Sequence, residues 1–279
     1  MAVTPAAVRT AAVRTATAGA HRHWLLRPIG FNVNQCCFTP RSSTAYRHGV
    51  PRQRIDLTSH CHTSQVEDLP TVKGDFYALG HIPNIIGAID GTHVALVPPS
   101  RSEQVYRNRK SYHSMNVQMV CLADQYISHV NAKFPGSVHD AYIMRNSSIP
   151  YVMGQLQRHR VWLIGDSGYP NLSWLLTPVR NPRTRAEERY NEAHGRNRMV
   201  IERTFGLLKA RFRCLHMTGG SLLYSPKKVC QIIVACCMIH NLALRRQVPF
   251  LQKDGPDGGV VAAVDDIDNR NTVIQQYFQ

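Results

Sequence analysis

The stretch Ile85-Ile86-Gly87-Ala88-Ile89-Asp90 decides the fold, because an apolar run ends there on a carboxylate. It opens residues 85–97, in which alternate side chains share one face at the period of a strand. A second apolar run, residues 161–165, also ends on an acid, Asp166. This run is continuous, which is typical of a strand buried on both faces. Ligands gather beyond the carboxyl ends of such strands, so both acids are candidate site residues.

Residues 114–122 and 126–134 predict two further strands around the three-residue loop Ala123-Asp124-Gln125. Three successive strands favour an antiparallel meander. Residues 151–160 predict a helix that leads into the strand at 161–165, and a strand reached through a helix is usually parallel to its neighbour. We therefore expect an α/β fold, a mixed sheet flanked by helices, with an element order similar to the ribonuclease H architecture.

A short polar segment follows the third predicted strand. Ser137 and Asp140 have the spacing of a capping box, which would begin a short helix. Asp140 is therefore expected to cap this helix first, and to assist a metal site only as a second role.

An amphipathic helix is predicted at residues 198–214, where Glu202 lies one position from the apolar stripe. Glu202 thus borders the buried face and is the third candidate carboxylate. The alternative is an ordinary salt bridge with Arg198, four residues before it. The apolar residues of the stripe step by four, three, four and three: Ile201, Phe205, Leu208, Phe212 and Leu215.

Two more helices frame this one in sequence. Thr184 and Glu187 form a capping pattern that predicts a small helix before residue 197. Ser225 followed by Pro226 predicts the beginning of a helix that runs to about residue 246 and packs on the sheet.

Charge points to an anionic partner. The 279 residues carry a formal net charge of +15, with a pI near 9.8. Lys and Arg that neutralise phosphates release counterions, so nucleic acid is the expected partner, although charge that merely aids solubility is the alternative. A polar loop with Arg107, Arg109 and Lys110 could face phosphates or be a solvated connection. Three further candidate phosphate-binding residues lie on the side of Glu202: Arg198, Lys209 and Arg213.

Cysteine usage and hydropathy limit the environment. The eight cysteines contain no C-x-x-C pair, which suits a reduced compartment where free cysteines pack as small apolar groups. No apolar stretch approaches the roughly 20 residues needed to span a bilayer, so no membrane association is expected.

Three regions divide the chain. Residues 1–70 are expected to be a disordered basic segment, residues 71–248 the folded domain, and residues 249–279 a flexible acidic tail. Residues 1–55 contain no Asp or Glu and several arginines. That composition is also typical of a mitochondrial transit peptide, and a misassigned start is a further alternative.

Asp90, Asp166 and Glu202 form a set that could hold divalent metal. Two ions held about 4 Å apart by carboxylates can activate a water and stabilise the leaving oxygen of a phosphodiester. Mg²⁺ prefers oxygen ligands and keeps several waters, so few protein ligands are needed. Asp after a buried strand also commonly closes the next turn, which is the alternative for both aspartates.

Four ordered motifs carry a family resemblance: residues 84–93 (NIIGAIDGTH), 135–140 (PGSVHD), 165–170 (GDSGYP) and 201–209 (IERTFGLLK). Together they resemble the PIF/Harbinger-type DDE transposases, including domesticated, transposase-derived nucleases, over about residues 71–248. The resemblance implies a ribonuclease H-like catalytic domain. Its DDE triad would fall on Asp90, Asp166 and Glu202 and bind two divalent ions, Mg²⁺ or Mn²⁺.

The same resemblance implies DNA as substrate, a Myb-like DNA-binding partner protein, and a location in the nucleus with some cytoplasm. The transit-like composition leaves mitochondrial targeting as the alternative. A helical segment usually precedes the catalytic domain in this family, and residues 1–70 do not resemble it. Two other functions stay open: a DNA-binding or scaffold protein without catalytic activity, and a hydrolase acting on RNA.

Overall fold

A computed structural model describes residues 69–248 and 269–278 of the chain. Five strands and seven α-helices make up this part, with short 3₁₀ turns between some of them. In chain order they are α1 (Leu69–Gly80), β1 (Ile85–Ala95), α2 (Glu103–Tyr106), β2 (Ser114–Cys121), β3 (Ile127–Pro135), α3 (Asp140–Arg145), α4 (Ile149–Leu156), β4 (Trp162–Ile164), β5 (Leu175–Leu176), α5 (Arg185–Arg211), α6 (Pro226–Arg245) and α7 (Asn269–Tyr277).

The five strands form one mixed sheet in the order β3-β2-β1-β4-β5. β1, β2 and β3 pair antiparallel, whereas β4 pairs parallel to β1 and β5 parallel to β4. The predicted meander and the parallel fourth strand are therefore confirmed. β5 has only two residues and was not predicted, because so short an element shows no periodicity.

Helices cover both faces of the sheet. Met115, Val117 and Met119 of β2 point into the core cluster that also contains buried residues of α1, α5 and α6. Val120 points to the other face, into the cluster with residues of α3 and α4. Alternation of side chains along a strand produces this division. Each fully buried apolar side chain of this size contributes about 1.5–3 kcal/mol relative to exposure, so both layers hold the sheet.

α5 is one continuous helix, which corrects the prediction of a small helix followed by a separate helix at 198–214. Its capping box is the predicted one. The Thr184 hydroxyl accepts from the Glu187 amide at 3.2 Å, and the Glu187 carboxylate accepts from the Thr184 amide at 3.0 Å. No proline follows within the helix, and Gly195 and Gly206 lie in open space, so nothing interrupts it.

Among the described helices, α6 is long and apolar enough to cross a membrane by length and composition alone. Here its inner side packs against the β2–β3 hairpin. The Asn241 side chain donates to the Ile127 carbonyl at 2.8 Å and accepts from the Ile127 amide at 2.9 Å. A ring nitrogen of His240 lies 3.1 Å from the Gln125 carbonyl. The hairpin loop is therefore anchored by polar groups of a core helix.

The predicted terminal regions are described only in part. Residues 1–68 and 249–268 lie outside the described residues, so the expected basic segment and most of the expected acidic tail stay predictions. Within the region of the predicted tail, α7 buries Val273 and Ile274 in the main core. The Phe278 ring also meets Tyr190 of α5 edge to face, with centroids 5.9 Å apart.

Candidate active site

Asp90 lies in the middle of β1, and Asp166 lies just beyond the carboxyl end of β4, at the same level of the sheet. β1 and β4 are parallel neighbours, and their register pairs Ala88 with Ile164. Each aspartate comes two residues after one member of that pair. The alignment that the sequence predicted for these two acids is therefore the one that the strands adopt.

The two carboxylates interact electrostatically. Burial, and after it the negative charge of Asp166, together raise the pKa of Asp90 to about 7. Arg198 and a 2.7 Å hydrogen bond from the Gly91 amide act in the opposite direction and lower it. Burial and a neighbouring negative charge both disfavour the ionised form of a carboxylate. A bound cation would stabilise that ionised form.

Asp166 also shapes the turn that follows β4. Its Oδ1 accepts a hydrogen bond from the Gly168 amide at 3.0 Å. The turn-forming role that the sequence left open is thus present. It occupies a single carboxylate oxygen among the hydrogen bonds of the described residues, so a ligand role at the other oxygen is compatible with it.

Asp140 is the largest correction to the sequence-based site. The expected capping box is wrong, because α3 begins at Asp140 itself and His139 is the residue before the helix, with no side-chain cap. The Asp140 Oδ1 instead accepts from the Asn116 side chain of β2 at 2.9 Å. Burial raises the pKa of Asp140, and the charge of Asp166 adds to that effect.

A close approach at Gly91 sets Asp140 beside β1. A Cβ added to Gly91 would come 2.3 Å from the Asp140 Oδ1 and 3.2 Å from the Asn116 Oδ1. Such a separation is shorter than any ordinary contact, so a side chain at position 91 would displace Asp140. Glycine is therefore required here for space, directly after Asp90.

Asp90, Asp140 and Asp166, which we call the acidic cluster, surround Tyr169. Burial raises the pKa of Tyr169 well above its ordinary value, and the charges of all three acids add to the shift. The Tyr169 hydroxyl accepts from the buried Gln118 amide at 3.0 Å, and the same amide also lies 3.1 Å from the Asp140 carbonyl. These contacts fix α3 and the β4 turn against β2.

Glu202 stands apart from the acidic cluster. Its side chain is 53% exposed and pairs with Arg198, one helical turn before it. The described residues contain no group of three or more His, Cys, Asp or Glu side chains placed to hold a metal ion. The structure thus brings together Asp90 and Asp166 of the predicted triad, and it gives Glu202 the salt bridge that the sequence left open.

Arg198, Glu202 and Lys209 nevertheless share one face of α5, since they are separated by four and seven residues. The Lys209 ammonium donates to the Thr92 hydroxyl at 2.7 Å and to the His93 carbonyl at 3.1 Å. Residues at both ends of this face thus interact with β1. Arg198 lowers the pKa of Asp90, and Lys209 contacts the strand directly. Glu202 lies between them along the helix.

The predicted phosphate-binding residues divide into two groups. Arg109 lies 2.5 Å from a ring nitrogen of His139, and its charge lowers the pKa of Asp140. Lys110 acts on Lys209, because burial and after it the charge of Lys110 together lower the pKa of Lys209 to about 8. Arg109 and Arg198 therefore act on the acidic cluster. Lys209 contacts β1 just after Asp90, and Lys110 is close enough to affect Lys209 and His93.

The other two predicted cations lie elsewhere. Arg107 is exposed and forms a backbone bridge with His113. Arg213 donates to the Thr218 hydroxyl at 2.7 Å. Within the described part of the chain, neither is recorded as acting on the acidic cluster, so the structure does not join them to it.

A polar network that the sequence did not reveal holds the basic loop in place. Ser114 accepts from the Asn108 amide at 2.9 Å and lies 2.9 Å from Nδ1 of His93. Burial, and after it the charges of Lys209 and Lys110, together lower the pKa of His93 to about 4. The hydrogen bond between His93 and Ser114 ties the loop before β2 to the strand that carries Asp90.

Asn116 and Gln118 were also missed, although the sequence carries a signal for them. Both are buried polar side chains at alternate positions of β2, the strand paired with β1. Buried polar groups need hydrogen-bond partners, so two on one face of an apolar strand predict polar partners opposite. Here those partners are Asp140 and Tyr169.

The fold and site define a class of protein. The chain matches the family model described as DDE superfamily endonuclease over residues 89–241, a span that contains all three predicted triad residues. It belongs to that family, and the predicted resemblance and the ribonuclease H-like fold are confirmed.

Individual relatives support the same assignment. The chain is 42% identical to the protein named "Putative nuclease HARBI1" from Bos taurus over 173 residues, which is 62% of this chain and 50% of that protein. The Homo sapiens protein of the same name is 40% identical over 176 residues, 63% of this chain and 50% of the relative. The Arabidopsis thaliana "Protein ALP1-like" is 28% identical over 199 residues, 66% and 48% respectively.

The chain spans about half the length of the curated relatives it matches. No solved structure matches it.

Proposed function

We propose that this protein is a transposase-derived, divalent-metal-dependent endonuclease that hydrolyses DNA phosphodiester bonds. Asp90, Asp166 and Glu202 would be its metal-binding and catalytic residues. The observation that carries this proposal is the placing of Asp90 and Asp166 at one level of two parallel neighbouring strands, where the charge of Asp166 raises the pKa of the buried Asp90. Its membership of an endonuclease family supports the class of reaction.

The donor set fits Mg²⁺ or Mn²⁺. All the proposed ligands are carboxylate oxygens, which these ions prefer. Burial, and after it the charge of Asp166, raises the pKa of Asp90, and a cation would offset both effects. Two such ions, when bound, would activate a water and stabilise the leaving oxygen of the cleaved strand. Asp90 and Asp166 would hold them, and Glu202 would complete the second position.

Glu202 would have to leave Arg198 to take this role. Its place on α5 supports that change, because the residues before and after it on the same face, Arg198 and Lys209, already act on β1. A carboxylate that is half exposed and held by one surface ion pair is not strongly fixed, since such pairs contribute only about 0.2–1 kcal/mol.

The cations around the acidic cluster would hold the DNA backbone. Arg109, Lys110, Arg198 and Lys209 are the four whose charges reach the acids or their neighbours. They would offset the repulsion between phosphates and carboxylates and position the scissile bond. Arg107 and Arg213 would contact more distant phosphates.

A second candidate function is DNA binding or scaffolding without catalysis. The Arg198–Glu202 pair favours it, because that pair keeps the third carboxylate away from the other two. In this case the basic residues would bind DNA and the acids would be inactive.

Plasmid nicking separates the two functions. Supercoiled DNA incubated with the protein should be nicked in Mg²⁺ or Mn²⁺ and remain intact in EDTA. Binding without nicking in either condition would contradict the endonuclease and support the scaffold. Labelled RNA and DNA strands of one sequence, compared in the same assay, test the choice of DNA as substrate.

Location and partner are part of the same proposal. A DNA endonuclease of this family would act in the nucleus, with a fraction in the cytoplasm, and a Myb-like protein would supply sequence recognition. Fluorescent fusions with and without residues 1–70 test the location. Mitochondrial fluorescence that depends on those residues would contradict it.

A further inference from the structure

A shallow groove lies beyond the carboxyl end of β1, away from the acidic cluster. Its cavity is about 230 Å³, below the roughly 300 Å³ at which pockets for drug-sized ligands begin, so it suits a group the size of one ring. We call it the Tyr224 groove. Its walls are mainly apolar: Val97, Pro98, Pro99, Leu223, Tyr224 and Pro226.

The backbone holds this groove in a fixed relation to the active site. The Leu222 amide donates to the Ala95 carbonyl and the Val97 amide donates to the Leu222 carbonyl, both at 3.0 Å. The segment before α6 is thus joined to β1, on the edge opposite β2. Asp90 lies six residues before Leu96 on the same strand, a distance of about 20 Å at 3.3 Å per residue. Lys209 contacts β1 between these two points.

Large apolar side chains are exposed at the groove. Leu223 is 79% exposed, Tyr224 54% and Val97 50%. An aromatic ring and a leucine side by side at the surface, with proline walls, offer a flat platform on which another ring can stack.

The surroundings of the groove are positively charged. Residues 203–248 contain eight Lys and Arg and no Asp or Glu. Lys227 and Lys228 follow directly on the groove and are exposed. They occupy the first turn of α6, whose N-terminal amides have no partner within the helix. Ser225 before it makes no side-chain cap. The positive charge around the Tyr224 groove therefore favours a ligand in which a negatively charged group lies next to a flat ring.

We propose that the Tyr224 groove binds one unpaired nucleotide of the DNA substrate. Its base would stack on Tyr224 and Leu223, and its phosphate would lie against Lys227, Lys228 and the first turn of α6. This inference rests on the proposed function, since it assumes DNA as substrate. At 3.4 Å per nucleotide along a duplex strand, the distance of about 20 Å corresponds to about six nucleotides. The groove would therefore hold a strand that separates from its complement at about that distance from the cleaved bond, and Lys209 would contact the backbone between.

Binding of single-stranded DNA in EDTA tests the groove without cleavage. We would titrate the full chain into a short oligonucleotide containing 2-aminopurine and measure both anisotropy and base fluorescence. Tyr224→Ala should weaken single-strand binding by roughly 5- to 100-fold, the range expected for one base–aromatic stack, and should abolish the fluorescence quench. Tyr224→Trp should retain both. Duplex binding should change little.

The matched control is Tyr151→Ala on α4, because Tyr151 is similarly exposed at 60%. Lys227→Gln should reduce the salt dependence of single-strand binding by about one counterion, whatever happens to the quench. Equal affinities and equal quenching for the Tyr224→Ala and Tyr151→Ala proteins would overturn the proposal. So would a Tyr224-dependent dimer in sedimentation together with unchanged DNA binding, which would assign the groove to a second copy of the chain.

Failure of this inference is distinguishable from failure of the proposed function. Tyr224-dependent stacking by a protein that never nicks DNA would support the groove and contradict the endonuclease. Metal-dependent nicking with no effect of Tyr224 on single-strand binding would do the reverse.

Discussion

Arg198 forms an ion pair with Glu202 and at the same time lowers the pKa of Asp90. One guanidinium therefore stabilises negative charge on two of the three residues proposed to bind metal. A divalent cation would act on the same charges. Arg198 and the metal thus compete electrostatically, even though Arg198 would also help to hold the phosphate.

Replacement of Arg198 by Gln should therefore strengthen Mn²⁺ binding and weaken DNA binding. One surface charge is worth about 1 kcal/mol, so we expect roughly a 5-fold tighter Mn²⁺ affinity by calorimetry. Arg196→Gln is the control, since Arg196 is exposed on the same helix and is not part of the site. Unchanged or weaker Mn²⁺ binding in the Arg198 variant would show that this residue does not oppose the metal.

Asp90→Asn should stabilise the metal-free protein at pH 8. The pKa of Asp90 is raised to about 7 in the folded protein from 3.8, so folding disfavours its charge. The raised pKa of Asp90 stabilises the folded protein fully below about pH 4, and this contribution is lost as the pH rises through about 7. We expect the variant to be more stable by about 2–4 kcal/mol at pH 8, at about 1.4 kcal/mol per pKa unit, and to match the parent near pH 4.

Urea unfolding in EDTA at both pH values measures this difference. A variant less stable than the parent at pH 8 would show that the charged Asp90 side chain does not destabilise the folded protein. Adding Mn²⁺ should then stabilise the parent more than the variant.

Gly91→Ala should destabilise the fold and disturb the acidic cluster. The new methyl group would lie 2.3 Å from the Asp140 Oδ1, so Asp140 or β1 must move. Overpacking of this kind costs about 1–3 kcal/mol. Gly206→Ala is the matched control, because Gly206 lies on α5 with nothing within 4 Å and alanine favours a helix by about 1 kcal/mol. If both variants gained stability in urea, the close approach would be refuted.

Asp140→Asn should lower metal affinity while keeping the fold. An amide oxygen can still accept the Asn116 hydrogen bond, but one charge beside Asp166 is lost. Asp140→Ala should in addition cost about 1–3 kcal/mol of stability, because it leaves the buried Asn116 amide without this acceptor. Mn²⁺ titration of the Asn variant is the deciding measurement, and an affinity equal to that of the parent would exclude Asp140 from the site.

Lys209 should make DNA binding depend on pH. Its pKa is lowered to about 8, so its charge is present at pH 7 and is mostly lost by pH 9. The salt dependence of DNA binding by the parent should fall by about one counterion over this range. Lys209→Arg stays charged and should show no such change. Parallel pH profiles for the two proteins would contradict the assignment.

The strands that carry Asp90 and Asp166 were predictable because each aspartate directly follows a run of apolar residues. Burial of such runs overrides local detail, so strand type, order and parallel pairing followed from them. α5 was predicted in two pieces, because the polar stretch before residue 197 has no apolar stripe. Its continuity depends on the absence of a breaking residue and on packing of Tyr190 and Ala193.

The geometry of the side chains was harder to predict. Asp140 has the sequence spacing of a capping residue. In the structure α3 begins at Asp140 itself, and the Asp140 carboxylate accepts a hydrogen bond from Asn116 instead. Glu202 borders the core by sequence, yet its long side chain can reach either the acids or Arg198. Which of these partners Glu202 takes depends on the local charge, and the periodicity of the sequence contains no information on that charge.

The central claim is that Asp90, Asp166 and Glu202 make a metal-dependent nuclease, and Asp166→Asn tests it most directly. Plasmid nicking in Mg²⁺ by the parent and the variant should be measured together, with DNA affinity measured in EDTA. We predict that the parent nicks, that the variant nicks no more than the EDTA control, and that both bind DNA equally. Nicking by the variant at the rate of the parent would contradict the claim.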